Sequence, residues 1–120
     1  MIKIQKPWDG AHDQVVSAGN GGVYKINDLI DLSKDLPVMQ IPLDHLCITR
    51  SFGTSDIRDF VSHMNAVMDS DLKYPIILCE NGGILDGAHR VCKALHLGKK
   101  TIKAVRFESN PPPSFYEDSD

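Results

Sequence analysis

The stretch Ile84-Leu85-Asp86-Gly87-Ala88-His89-Arg90-Val91-Cys92-Lys93-Ala94-Leu95 constrains the chain most. An apolar pair meets a glycine and is followed by residues of helical period, so the backbone turns from a strand into a helix at Gly87. Upstream, Pro75-Ile76-Ile77-Leu78-Cys79 reads as a short apolar strand. Glu80-Asn81-Gly82-Gly83 then reads as a hairpin turn, because Asn-Gly and Gly-Gly tolerate positive φ. Ile84-Leu85 is the returning strand. Downstream, Gly98 stops the helix, with Val91, Ala94, Leu95 and Leu97 expected on its buried side. Thr101 to Phe107 follows as a final strand. A chain of 120 residues has room for one core around this unit.

The remaining segments are read in the same way. Ile26, Leu29 and Ile30 predict a short helix over 27–34, ended by Pro37. Residues 38–43 read as a strand with Pro42 at its end or edge, and Leu43-Asp44-His45-Leu46 as a turn. A longer helix is predicted over 55–69. Ile57, Phe60, Val61, Met64, Val67 and Met68 share one face, expected to be core, and His63 lies toward the polar side. Thr54 or Ser55 is the expected cap, with Asp56 at the positive end of the dipole. Residues 1–25 are weakly patterned, and Gly19-Asn20-Gly21-Gly22 reads as a flexible hinge. A lid, a partner-binding arm and a leader are all open for this segment. Asn110-Pro111-Pro112-Pro113 and the acidic end read as an extended or disordered tail. Trp8, Phe115 and Tyr116 are aromatics near the termini.

Composition narrows the function classes. The longest apolar run, Ile76 to Cys79, is too short for a membrane helix, and the first residues alternate polar and apolar, unlike a signal peptide. Three widely spaced cysteines (Cys47, Cys79, Cys92) argue against a disulfide scaffold, so a reduced, cytoplasmic protein is expected. The net charge of −3 hides an asymmetry. Residues 87–107 carry six bases (Arg90, Lys93, Lys99, Lys100, Lys103, Arg106) and no acid, whereas residues 108–120 carry four acids and no base. Such a basic segment attracts phosphate, as a nucleotide or as a DNA backbone.

The chemistry concentrates at residues 86–90. A helix N-terminus offers unpaired amides and a positive dipole end to an anion, and Gly87 lets the backbone approach it closely. His89 and Arg90 add donors from the first turn, Arg90 with a fork suited to phosphate oxygens, and Lys93 adds charge. Asp86 has three roles open to it: orienting His89, holding Mg²⁺ or accepting a proton.

The run Pro75-Ile76-Ile77-Leu78, the Gly-rich turn, Ile84-Leu85-Asp86-Gly87-x-His89-Arg90, Ala94, Leu97-Gly98 and the closing strand resembles the ParB/sulfiredoxin-like superfamily. Ile41-Pro42-Leu43-Asp44-His45-Leu46 resembles that family's opening strand. The resemblance covers 38–107, leaving 1–37 as a leader with a short helix and 108–120 as an acidic, Pro-rich tail. It implies an α+β fold with a mixed sheet and helices packed on it. Members include partition proteins that hydrolyse CTP, sulfiredoxins that use ATP, free-serine kinases and nucleases.

The resemblance implies a nucleotide (ATP, ADP or CTP, with Mg²⁺) held by Gly87, Ala88, His89, Arg90 and Lys93. Arg50 and Ser51 complete the pocket, and Asp86, His89 and Arg90 are the catalytic set. Sulfiredoxins carry a nucleophilic cysteine where this chain has Ala88, so sulfinic-acid reduction is not expected. The Asp-Gly-x-His-Arg form is nearest the serine kinases, whose glutamate base has no counterpart in Cys47-Ile48-Thr49-Arg50-Ser51. The expected activity is that of a phosphotransferase (kinase) or nucleoside triphosphatase. The alternatives are a DNA-associated nuclease or accessory module acting through 87–107, and a non-catalytic module binding a protein through the leader or tail.

Overall fold

The computed structural model of the protein describes residues 15–19, 21–46, 48, 52–54 and 56–116. In chain order these form β1 (Val15–Gly19), β2 (Gly22–Lys25), α1 (Ile26–Ser33), β3 (Met39–Pro42), a single 3₁₀ turn (Leu43–His45), α2 (Ile57–Asp69), β4 (Ile76–Leu78), β5 (Ile84–Asp86), α3 (Ala88–His96), β6 (Thr101–Arg106) and β7 (Phe115–Tyr116). The fold class is α+β. Four strands make a mixed sheet in the order β3-β6-β4-β5, and β1, β2 and β7 make a second, antiparallel sheet. Within the first sheet β4 runs parallel to β6, while β3 pairs antiparallel with β6 and β5 with β4.

The alternation of side chains along these strands divides the core in two. Ile76 and Leu78 of β4 join Ile102 and Ala104 of β6 under Val91 and Ala94 of α3, with Leu43 and Leu46 closing the cluster. Ile77, Leu85, Val105 and Phe107 point the other way and pack with Tyr24 of β2 and Leu29 of α1. Helix α3 therefore covers one face, and α1 with the N-terminal hairpin covers the other. Leu95 and Leu97, expected on the buried side of α3, are exposed. The inner side of α3 is Arg90, Val91 and Ala94, and Leu97 falls on the C-terminal cap, past the last turn against the sheet.

Gly87 fixes how closely α3 approaches β4. Its φ is +112°, and a Cβ there would stand 2.8 Å from Cβ and 3.2 Å from Cα of Ile76. Only glycine accepts both the left-handed backbone and this contact.

Helix α2 lies against α3 with a face rotated from the one expected, so that of the six apolar residues expected inside only Val67 is buried. Asp56 caps it, accepting from the Asp59 amide at 2.8 Å. His63, Val67 and Ser70 are buried, whereas Ile57 is 82% exposed, Phe60 53%, Met64 49% and Met68 58%, and Val61 is also exposed. The inward line of Asp59, His63 and Val67, flanked by half-buried Ser62 and Ala66, is narrow and built largely of small residues. It suits a helix docked on another helix, whereas the bulky apolar stripe stays exposed. Lys93 of α3 fixes the pairing by donating to the Met68 carbonyl at 2.9 Å and to that of Ser70. These are carbonyls at the C-terminal end of α2, which the helix itself cannot satisfy.

The segments that hold β1, β2 and β7 form more regular structure than the sequence suggests. The glycines expected to form a hinge make the turn of a hairpin, with Val16 opposite Tyr24 and Gly21 at φ +77°. The segment expected to be an extended or disordered tail docks on that hairpin as far as Tyr116. Phe115 pairs with Val23, the Tyr24 hydroxyl donates to the Pro111 carbonyl at 2.8 Å, and the Lys25 amide donates to Ser114 Oγ at 2.9 Å. Three prolines cannot form a ladder of their own, but Pro111 still offers a carbonyl. Trp8 lies outside the described residues.

Two measurements check this packing. Phe60→Ser is expected to change unfolding free energy by less than about 0.5 kcal/mol, and Val67→Ala to cost about 2 kcal/mol, by urea titration. Burial pushes the Tyr24 phenol above its ordinary value of 10.0, with Cys79, Glu80 and Tyr116 adding like-charge repulsion. The unfolded chain therefore loses this proton first as pH climbs past about 10, and stability falls there. Tyr24→Phe should flatten that alkaline limb of the stability curve.

Candidate functional site

At the junction of β5 and α3, Gly87 occupies the N-cap position and brings no side chain to cap the helix. The first intrahelical bond runs from the Val91 amide to the Gly87 carbonyl at 2.9 Å. Asp86, the residue before the glycine, does not fold back over the amides. Its carboxylate reaches along the helix to Arg90, with Oδ2 2.9 Å from the guanidinium. Arg90 is 9% exposed and also donates to the carbonyls of Tyr74 and Pro75, at 3.3 and 3.1 Å. The fork proposed from sequence for phosphate oxygens thus serves a carboxylate and two carbonyls at the entrance to β4. Lys93 is likewise engaged, on the end of α2.

His89 takes a different direction. Its Nε2 lies 2.9 Å from Nδ1 of His63 on α2. His63 Nε2 stands 3.8 Å from Oδ1 of Asp59, one turn earlier. The Phe52 ring stacks on both imidazoles, with centroids 4.7 Å from His63 and 4.9 Å from His89. Only one proton fits between two nitrogens 2.9 Å apart, so one ring donates and the other accepts. A carboxylate, two imidazoles and an aromatic cover therefore stand together beside the first turn of α3.

The residues expected from sequence thus separate. Asp86 and Arg90 pair with each other, Lys93 joins the two helices, and His89 turns to α2; Gly87 and Ala88 form the helix start. Arg50 and Ser51 lie outside the described residues. The sequence pattern does not mark His63 and Asp59 as site residues and puts His63 toward the polar side of α2, whereas the ring is buried. The available signal was Asp59-x-x-x-His63, a carboxylate and an imidazole one helical turn apart.

Asp86, the residue the sequence offers for Mg²⁺, accepts from Arg90 through one of its two oxygens. Among the described residues no group of three His, Cys, Asp or Glu side chains converges as metal ligands. The basic segment is divided too. Arg106 donates to the Glu80 carbonyl through Nε at 3.0 Å and through Nη2. With Arg90 and Lys93 also engaged, Lys99, Lys100 and half-buried Lys103 carry the outward charge. Among the described residues no helix is long and apolar enough to cross a membrane.

Comparison of this small α+β chain with protein-family models, with curated proteins and with solved structures returned no match in any of the three.

The Arg90 environment yields a direct test. Arg90→Ala leaves the Asp86 carboxylate and two carbonyls without their donor and is expected to cost about 3 kcal/mol, read from the urea midpoint. Asp86→Asn, whose amide oxygen still accepts, should cost less.

Proposed function

We propose that the protein is a ParB/sulfiredoxin-like nucleotide-binding protein that holds the phosphates of ATP, ADP or CTP at the start of α3 and acts as a phosphotransferase or nucleoside triphosphatase. The observation that carries this reading is the glycine-opened helix start whose neighbouring carboxylate is drawn away. Asp86, bound to Arg90, neither caps the amides nor presents an uncompensated negative charge to an incoming anion. A phosphate at that position meets backbone donors and a favourable dipole. His89, in the first helical turn, is the side chain that meets it.

The chain order supports the same reading. A strand, a glycine turn, a returning strand, the glycine-started helix and a parallel final strand follow one another as the resemblance implies. Phosphoryl transfer is mainly positioning and charge stabilisation, so a short cradle of backbone and imidazole suits it. Mg²⁺ would enter in this reading with the nucleotide and would offset phosphate charge, with Asp86 as the neighbouring carboxylate.

The test is thermal unfolding with ATP, ADP and CTP, each with and without Mg²⁺. A binding nucleotide at about 100 times its Kd is expected to add roughly 2.7 kcal/mol and raise Tm by several degrees. His89→Ala should abolish the rise. Arg90→Ala is unsuitable for this purpose, because its loss lowers Tm whatever the ligand. No rise with any of the three nucleotides would overturn the reading.

A further inference from the structure

We propose that the exposed apolar face of α2 is a self-association surface, which pairs antiparallel with the same face of a second copy of this chain across a two-fold axis. The surface is independent of the nucleotide reading above. Ile57, Phe60, Val61, Met64 and Met68 share that face, and all five are exposed, from 43% at Val61 to 82% at Ile57. Single exposed apolar residues are ordinary on a protein surface, whereas a contiguous group marks a site of contact. Together the five side chains present roughly 600 Å², the upper end for the largest apolar patch of a monomer.

The spacing names the occupant. Ile57, Val61, Met64 and Met68 follow at intervals of four, three and four residues, the a/d seam of a two-helix coiled coil. This order reads the same in both directions. When the second copy runs antiparallel, Ile57 stands opposite the partner's Met68, and Val61 opposite the partner's Met64. Every layer then holds one β-branched residue and one methionine, so the layers match in volume and the flexible thioether fits itself to the stiffer chain. A parallel copy would set Ile57 on Ile57 and Met64 on Met64, with uneven layers and the two helix dipoles aligned. Antiparallel pairing brings the N-terminal end of each α2 beside the C-terminal end of the other, which the dipoles favour. On one flank of the seam exposed Arg58 comes opposite the partner's Asn65, a polar pair without like charge, and Phe60 lies on the other flank.

Two such faces bury up to roughly 1,200 Å², the lower end of specific interfaces, so the dimer is weak and concentration-dependent. The seam does not have to fold the helices, since Lys93 of α3 already holds the end of α2. A lipid surface is a poorer occupant. Helices that lie on membranes carry a polar face rich in Lys and Arg, whereas α2 has Arg58 as its one such base, with Asp59 and Asp69 beside it.

Sedimentation velocity of the full chain tests the surface, from about 10 µM to about 1 mM. The mass is expected to rise from that of the 13.3 kDa monomer toward that of a dimer. Met64→Glu sets a carboxylate against Val61 in an apolar layer and should weaken association by about 100-fold. Its urea midpoint in dilute solution should stay that of the unaltered protein, because Met64 is exposed. Val61→Lys should act in the same way. An equal mixture of Val61→Lys and Met64→Glu should associate again, because in the antiparallel register the new ammonium faces the new carboxylate. A monomer throughout the concentration range overturns the proposal, as does a dimer indifferent to both substitutions. Recovery in a mixture of Val61→Lys with Val61→Glu, and not in the first mixture, overturns the antiparallel register.

Discussion

The guanidinium of Arg90 is the interaction on which the arrangement depends. One side chain of α3 reaches the carboxylate at the end of β5 and two carbonyls at the entrance of β4, so three elements are joined by a single planar fork. Arginine suits this task because its donors lie in a fixed plane and its charge persists under all relevant conditions. Gly87 permits the approach and Arg90 secures it. Together they set where the first turn of α3 stands relative to the sheet.

From that placement the division of labour among neighbouring residues follows. Successive helical positions point in different directions, so Arg90 faces the sheet while His89 faces α2. Lys93, one turn below His89, holds the C-terminal end of α2 and keeps His63 within reach. The motif that reads as one cluster of phosphate-binding side chains becomes, in three dimensions, a scaffold from which the His89 imidazole turns toward α2. Its partners come from α2 and from Phe52, which no local spacing within the motif connects to it.

Much of the sheet was legible in the sequence because its signals are local. Ile76 to Leu78, the Asn-Gly turn, Ile84-Leu85, Gly87, Gly98 and the alternation of Ile102, Ala104 and Val105 each declare their element, and the α+β class follows. What was not legible depends on tertiary choice. The apolar period of α2 identifies a helix but not which face meets α3, and small side chains with a buried histidine won over the larger stripe. Gly19 to Gly22 signals flexibility and reversal alike, and only a partner strand distinguishes the two. Arg90 carries the composition of a phosphate ligand, yet its burial cannot be read without knowing that the Tyr74 and Pro75 carbonyls lie within its reach.

The docking of β7 on β2 has a consequence for how the molecule comes together. Tyr24 bonds a carbonyl 87 residues further along the chain, and Lys25 a hydroxyl 89 residues along. In synthesis the β1–β2 hairpin precedes the strand that completes its sheet by some ninety residues. During that interval β2 presents an open edge and Tyr24 an unsatisfied hydroxyl. Closure of the smaller sheet therefore depends on a long-range encounter rather than on anything the hairpin can do alone.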